Sequence, residues 1–188
     1  QLAGISRAEL TATLPAIQLI AGHLSVADQV VSAPLSYYSE SVRKLRATLD
    51  QIWFQQHSGQ RTMAQVILIT SPNPAEGKTS TALALARTYA LSGKKTLLID
   101  GDLRRPQLQS HLGLTTASGF LEYLNAEPGV ENDVGDFYAQ DPHGDAEVIL
   151  GRAPSDLPTD RFLASDRFER MMQDARETMD VVIMDSPP

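Results

Sequence analysis

The chain contains no cysteine, which excludes disulfide staples and thiolate metal sites and is compatible with a reducing compartment such as the cytoplasm. It also lacks any long apolar run. A membrane-spanning helix needs about 18 apolar residues in succession, and Leu14 to Ala21 is far too short. No basic segment leads into an apolar core after Gln1, so the start does not read as a signal peptide. Positive charge is scarce: 16 Lys and Arg stand against 23 Asp and Glu, a net charge of −7. That balance argues against a broad nucleic-acid footprint, and no nucleic-acid partner is expected. The four histidines, His23, His57, His111 and His143, are scattered without ligand spacing, so no zinc site is expected. No internal repeat is present. With 42% hydrophobic and only 6% aromatic residues in a chain of 188, the sequence suits one substantial α/β domain with a small appendage.

What is present is organised around Ser71-Pro72-Asn73-Pro74-Ala75-Glu76-Gly77-Lys78-Thr79-Ser80. An apolar run, Val66 to Thr70, precedes it as a buried strand, and an Ala/Leu-rich run from Thr79 to Leu91 follows it as a buried helix. Strand, tight loop, Gly-Lys-Thr and helix form the setting of a phosphate-binding loop. The unpaired N–H groups at the helix start carry the positive end of its dipole and hold phosphate oxygens. Gly77 lets the backbone approach closely, Lys78 reaches the β- and γ-phosphates, and the Thr79 hydroxyl can ligate Mg2+. The full pattern G-x-x-x-x-G-K-[ST] asks for glycine at position 72, where this chain has Pro72.

Before that loop, residues 1–35 read as a lead-in, mostly linker laid across the surface, with a short helix over Ser6–Thr13 and an extended segment over Leu14–Ala21. From Ser39 on, Val42, Leu45, Leu49, Ile52 and Trp53 recur at helical spacing and predict a helix of about four to five turns. Glu40, Arg43 and Arg46 step along one flank of it. On spacing alone they are either a solvated face or a charged seam for a neighbouring subunit.

After the loop helix, Ser92-Gly93 ends the turn and Lys95 to Asp100 predicts a second buried strand. It delivers Asp100 and Asp102 to the edge of the sheet where open α/β folds bind ligands, though Asp-x-Asp is also a common turn cap. Short helices are expected over Leu108–Leu112 and Gly119–Leu124. Seven carboxylates and no Lys or Arg lie between Glu127 and Glu147, which reads as a solvated loop rather than a metal site. A strand over Glu147–Leu150 leads into a proline-stiffened loop, Gly151 to Pro158. Ser165 is placed to cap a helix carrying Phe168, Met171, Met172, Ala175 and Met179 on one face. Asp180 to Asp185 predicts a last buried strand ending in a carboxylate, the Walker B form.

Taken together, these features make the fold class α/β, a P-loop NTPase-type parallel sheet flanked by helices, and specify a resemblance. Residues 36–188 resemble the cytoplasmic domain of bacterial tyrosine kinases (BY-kinases) of polysaccharide co-polymerases. The resemblance rests on Glu40-x-x-Arg43-x-x-Arg46, the loop Ser71 to Thr79, the Walker A′ form Leu97-Leu98-Ile99-Asp100-Gly101-Asp102-Leu103-Arg104-Arg105-Pro106, and Val182-Ile183-Met184-Asp185-Ser186-Pro187-Pro188. The Walker A′ form is the most discriminating of these. Several roles are implied by the resemblance. ATP or ADP would lie against Pro74, Ala75, Glu76, Gly77, Lys78, Thr79, Ser80 and Arg104. Mg2+ would be held by Thr79, Asp102 and Asp185. Lys78, Asp100, Asp102 and Asp185 would carry catalysis, with Asp100 placed to accept the tyrosine proton. Glu40, Arg43 and Arg46 would mediate a homo-oligomeric ring, which favours the seam reading.

The resemblance further implies phosphorylation in trans within that ring at the cytoplasmic face of the inner membrane. Residues 1–35 would be a juxtamembrane linker, and the partners would be the membrane-embedded polysaccharide export machinery and a tyrosine phosphatase. Two departures stand out. The tyrosines Tyr37, Tyr38, Tyr89, Tyr123 and Tyr138 form no cluster, and Tyr89 and Tyr123 sit in apolar stretches that suit a core. The chain also stops at the Walker B strand and reads as truncated there, with an unpaired sheet edge expected at that strand. The alternative function is an ATP-binding oligomerisation switch without phosphotransfer to tyrosine. A partitioning or division-site ATPase fits less well, because such proteins carry a lysine where this chain has Asn73.

Overall fold

The computed structural model of the chain describes residues 12–57, 63–115, 119–125, 137–151 and 164–188. The apolar runs become five strands: β1 (Gln65–Ile69), β2 (Thr96–Asp100), β3 (Tyr138–Gln140), β4 (Glu147–Ile149) and β5 (Val181–Asp185). They lie in the order β1-β5-β2-β4-β3. The first four in that order are parallel, and β3 pairs antiparallel with β4 at one edge. β2 and β5 are buried at every residue, and a strand covered on both faces needs no polar alternation.

Successive side chains leave a strand on opposite faces. Leu98 and Ile183 therefore enter one core cluster, while Leu97, Ile99, Val182 and Met184 enter a second on the other side of the sheet. The first cluster is closed by α1 (Gln29–Ser32), α2 (Tyr37–Gln56) and α3 (Lys78–Ala90). Ala82, Leu83, Ala84, Leu85 and Ala86 of α3 are all fully buried, because the helix is wedged between the sheet and the N-terminal helices. Its alanines allow that close approach on both sides. Two short helices, α4 (Leu108–Leu112) and α5 (Phe120–Asn125), follow β2. The second cluster is covered by α6 (Asp166–Thr178), whose first turn is capped as expected, Ser165 Oγ accepting from the Phe168 N–H at 3.2 Å. Met171 and Ala175 are its buried face.

The lead-in is not linker throughout. Ser25, Ala27, Asp28, Gln29 and Val30 are buried in a 3-10 turn (Val26–Asp28) and α1 that pack on α3. Leu14 and Ile17 rest against the same core as an extended packing segment. Most of the helix expected over Ser6–Thr13 lies outside the described residues, as do the loop beyond Gly151 and residues 126–136 of the acidic stretch. The described part of that stretch is a solvated loop only at the exposed turn 142–145: Tyr138–Gln140 is an edge strand, and Asp141 is buried. The unpaired edge is also elsewhere than expected. β5 lies between β1 and β2, and β1 is the outer strand, with Leu68 59% exposed. The apolar stripe of α2 is buried at Val42 but emerges at Ile52, where the helix runs past the core.

Arg87, on α3, explains why the acidic stretch and the lead-in are drawn in. It is fully buried, and its Nε and Nη2 donate to Asp141 Oδ2 and Oδ1 at 2.6 and 2.9 Å. Its Nη1 donates to Asp28 Oδ1 at 2.6 Å, while Asp28 Oδ2 accepts from the N–H groups of Leu24 and Ser25. Burial is the largest influence on Asp28 and opposes its charge, but the hydrogen bond and charge of Arg87 together with the Ser25 and Leu24 N–H groups outweigh it and hold the carboxyl below its ordinary value. That contribution is present above the unfolded value near pH 4 and is lost as pH falls through the lower folded one. Replacing Arg87 by leucine leaves two buried carboxylates without their cation, with only backbone N–H donors remaining. Urea denaturation at neutral pH should show a loss of about 3–5 kcal/mol, and a loss below about 1 kcal/mol would contradict the role given to the triad.

Candidate functional site

The loops after β1, β5 and β2 emerge at one edge of the sheet and are tied together there. The Gly101 N–H donates to Asp185 O at 2.8 Å, and the Ser186 N–H donates to Ile69 O at 3.0 Å. Gly101 is required at this contact, since a Cβ there would lie 2.7 Å from Asp185 O. In the loop after β1, Gly77 takes φ +82° at the N-terminus of α3, and Ala75 takes φ 61°. An alanine in that region stores about 1–2 kcal/mol of strain. Position 72 has no positive φ, so the missing glycine does not disturb the turn. The left-handed residues are at 75 and 77 instead.

These loops enclose a cleft of about 600 Å³. Pro74, Ala75, Gly77, Lys78, Thr79 and Ser80 line one side, and Asp102 and Arg104 face them across it. The Lys78 ammonium donates to Ser71 Oγ at 3.2 Å. Glu76 does not line the cleft; its carboxylate accepts from the N–H and the amide of Asn73 and braces the loop. Arg105, Gln107 and His111, which are not among the expected site residues, line the cleft too, together with Pro187 and Pro188. A smaller hollow of about 330 Å³ lies at the opposite sheet edge beside Lys94, Lys95 and Asp180, away from all of these groups.

Beneath the cleft, Asp100 and Asp185 are paired in register on neighbouring strands and are almost completely buried. Thr79 Oγ1 donates to Asp185 Oδ2 at 2.6 Å, and the Leu108 N–H donates to Asp100 Oδ2 at 3.1 Å. Burial pushes Asp100 up to about 7, partly offset by the Leu108 hydrogen bond and reinforced by Asp185 and Asp102. Burial likewise pushes Asp185 up to about 6, against the hydrogen bond from Thr79 and the charge of Lys78. Asp102 is half-exposed, and its Oδ1 accepts from the Arg105 N–H at 3.1 Å. Both carboxylates therefore cap a turn, as one reading of Asp-x-Asp expects. The structure does not present Asp100 to the cleft, as the expected role of proton acceptor would need. Asp102 is the carboxylate that lines it.

The donor set fits a hard divalent cation. Asp100 Oδ1 and Asp185 Oδ1 are buried with no hydrogen-bond partner, and the Thr79 hydroxyl stands beside Asp185 as a further hard oxygen donor. Among the described residues no group of three or more His, Cys, Asp or Glu could hold a metal unaided. Such a site suits Mg2+, which retains water and takes ligands from substrate phosphates.

Glu40, Arg43 and Arg46 do not line the cleft. Glu40 and Arg43 pair at 2.5 Å on the surface of α2, and Arg43 also donates to Pro34 O. Arg46 turns inward over the Tyr89 ring, 6.0 Å from its centroid, with its buried Nε unpartnered. Among the described residues no helix is long and apolar enough to cross a membrane.

No family model matches the chain. The tyrosine-protein kinase YwqD of Bacillus subtilis is 32% identical over 158 residues, covering 84% of this chain and 62% of that protein. The succinoglycan biosynthesis transport protein ExoP of Rhizobium meliloti is 32% identical over 160 residues, covering 83% of this chain and 19% of that protein. The chain thus spans between about a fifth and three-fifths of the length of these relatives. The solved kinase domain of the Escherichia coli tyrosine kinase ETK superposes over 100% of this chain and 72% of its own, with a TM-score of 0.80 at 24% identity. The septum site-determining protein MinD of Pyrococcus horikoshii, solved with Mg-ADP, covers 65% of this chain and 49% of its own, with a TM-score of 0.52 at 20% identity. These two structural likenesses establish the fold.

The buried carboxylates set a pH dependence. With folded values of about 7 and 6 against 3.8 for the free side chain, the folded state holds protons that the unfolded chain has released between about pH 4 and 7. Stability of the ligand-free chain should therefore fall as pH rises across that interval. Asp100→Asn should remove much of the fall and raise the melting temperature at about pH 8. Melting curves across pH check this, and a variant that melts lower than wild type at pH 8 would contradict it.

Proposed function

The chain belongs to the P-loop domains of the bacterial tyrosine-kinase family, and from that premise we propose that it transfers the γ-phosphoryl group of ATP to tyrosine. The observation that carries the proposal is the convergence of Lys78, Thr79, Asp102 and Arg104 on one cleft, with Asp185 hydrogen-bonded to Thr79 beneath it. The free N–H groups at the start of α3 and the Lys78 ammonium hold the phosphates. Thr79 and Asp185, with Asp100 behind them, would hold Mg2+. When bound, Mg2+ neutralises the charge that develops on the phosphoryl oxygens. Arg104 adds positive charge from the opposite wall.

The phenol oxygen of the acceptor attacks the γ-phosphorus as the bond to the ADP oxygen breaks, and Asp102, the carboxylate exposed in the cleft, takes the phenolic proton. Of the chain's five tyrosines only Tyr37 is exposed, at 73%; Tyr38, Tyr89 and Tyr123 are buried and Tyr138 is partly covered. Within these residues Tyr37 is the acceptor that solvent reaches, and tyrosines of other copies or other proteins are further acceptors in this proposal. Kinship with ExoP, a polysaccharide transport protein, supports a role in exopolysaccharide export at the inner membrane. Within the same proposal, a homo-oligomer forms through Glu40 and Arg43, and a tyrosine phosphatase reverses the reaction. The single exposed tyrosine among the described residues favours one second reading, an ATP-dependent switch that binds nucleotide without transferring phosphate.

Incubation with Mg·ATP and a tyrosine-containing peptide, followed by intact-mass and phosphotyrosine analysis, separates the two. Phosphotyrosine should form on the chain or on the peptide. It should fall about 10²–10⁴-fold in Asp102→Asn with nucleotide binding retained, and be absent in Lys78→Met. Nucleotide binding without any phosphotyrosine would overturn the kinase reading and leave the switch.

A further inference from the structure

His111 stands where the cleft meets the N-terminal layer. It belongs to α4, is half-buried and lines the cleft. Its Nδ1 lies 3.0 Å from Ser25 Oγ. Ser25 is fully buried, and its oxygen already accepts the Ala27 N–H at 3.2 Å. The proton of its hydroxyl then finds its acceptor in Nδ1, because the opposite tautomer would leave that proton buried with nothing to receive it. The imidazole therefore carries its hydrogen on Nε2. Burial holds the ring below its ordinary pKa, against the attraction of Asp28 and with help from Arg87, so at neutral pH it is an uncharged donor.

We propose that His111 is a nucleotide-binding residue whose Nε2–H donates to a phosphate or ribose oxygen in the cleft, and that Ser25 is the positioning residue that imposes this tautomer. The proposal rests on the nucleotide reading of the cleft. It adds a polar contact beside Lys78, Arg104 and Arg105, and it gives the buried 3-10 turn a function. Ser25 caps the turn that carries Asp28, and Asp28 pairs with Arg87 of the phosphate-loop helix. A ligand that holds His111 therefore also steadies the N-terminal layer, and by linkage the layer tunes nucleotide affinity by the same factor.

Titration of the full chain with Mg·ADP tests this in wild type, His111→Phe, Ser25→Ala, the double variant and His111→Gln. His111→Phe and Ser25→Ala should each weaken binding about 3- to 10-fold. The double variant should bind no worse than His111→Phe, because Ser25 acts through the ring. His111→Gln, which keeps a side-chain N–H, should recover part of the loss. Nitrogen NMR of the free protein should show the Nε2–H tautomer, a reading that stands even if Ser25→Ala fails to fold. An Nδ1–H tautomer, or binding by His111→Phe within about twofold of wild type while Lys78→Met loses it, would overturn this proposal alone. Failure of wild type to bind Mg·ADP would overturn it together with the nucleotide reading.

Discussion

Two carboxylates held side by side in the middle of the sheet are the constraint on which the rest of the structure depends. Asp100 and Asp185 are register partners on β2 and β5, both buried, and each has an oxygen without a hydrogen-bond partner. A fold selected for stability alone would replace such a pair with apolar or amide side chains, since burying like charges is costly. The cost is intelligible if a cation and a polyphosphate satisfy the pair when bound. The raised values of both groups, the Thr79 hydrogen bond and the nearby Lys78 all belong to a site that is complete only with its ligand.

Much of the remaining architecture keeps that edge in place. The buried, alanine-rich α3 fixes Gly77, Lys78 and Thr79 at its start, and the contact of Gly101 with Asp185 O locks the loops after β2 and β5 to one another. The Arg87 ion pairs clamp α3 from behind, joining it to the 3-10 turn on one side and to the β3–β4 turn on the other. A buried ion pair contributes little net stability over an apolar replacement, but it fixes register well because a misplaced partner leaves a bare charge. Here it sets where the phosphate-loop helix sits relative to the layer that contacts His111.

The site was legible in the sequence wherever chemistry and local pattern coincide. Apolar runs ending in Gly-Lys-Thr, Asp-x-Asp or Asp mark strands whose ends carry function, and all of these came to one sheet edge. Where partners are far apart in sequence, local reading failed. Arg87 meets Asp28 and Asp141 across 59 and 54 residues, so no local pattern singles out its guanidinium, and Asp141 falls in the stretch read as a solvated loop. Ser25 and His111 are 86 residues apart, and a histidine held by a serine shows no ligand spacing. The central position of β5 is also a long-range fact, since nothing within Val181–Asp185 says which strands flank it. Asp100 and Asp102 could not be told apart from spacing. Burial separates them, placing one beneath the cleft and the other in it.

The most direct test of this account is the pH dependence of stabilisation by Mg·ADP. Melting temperatures would be compared with and without the ligand at about pH 5.5 and about pH 8. If the buried carboxylates are the metal-side half of the site, the ligand displaces protons at the lower pH and relieves charge repulsion at the higher one. The account predicts a clearly larger upward shift at pH 8 than at pH 5.5. Equal shifts at the two pH values, or no shift at either, would contradict it.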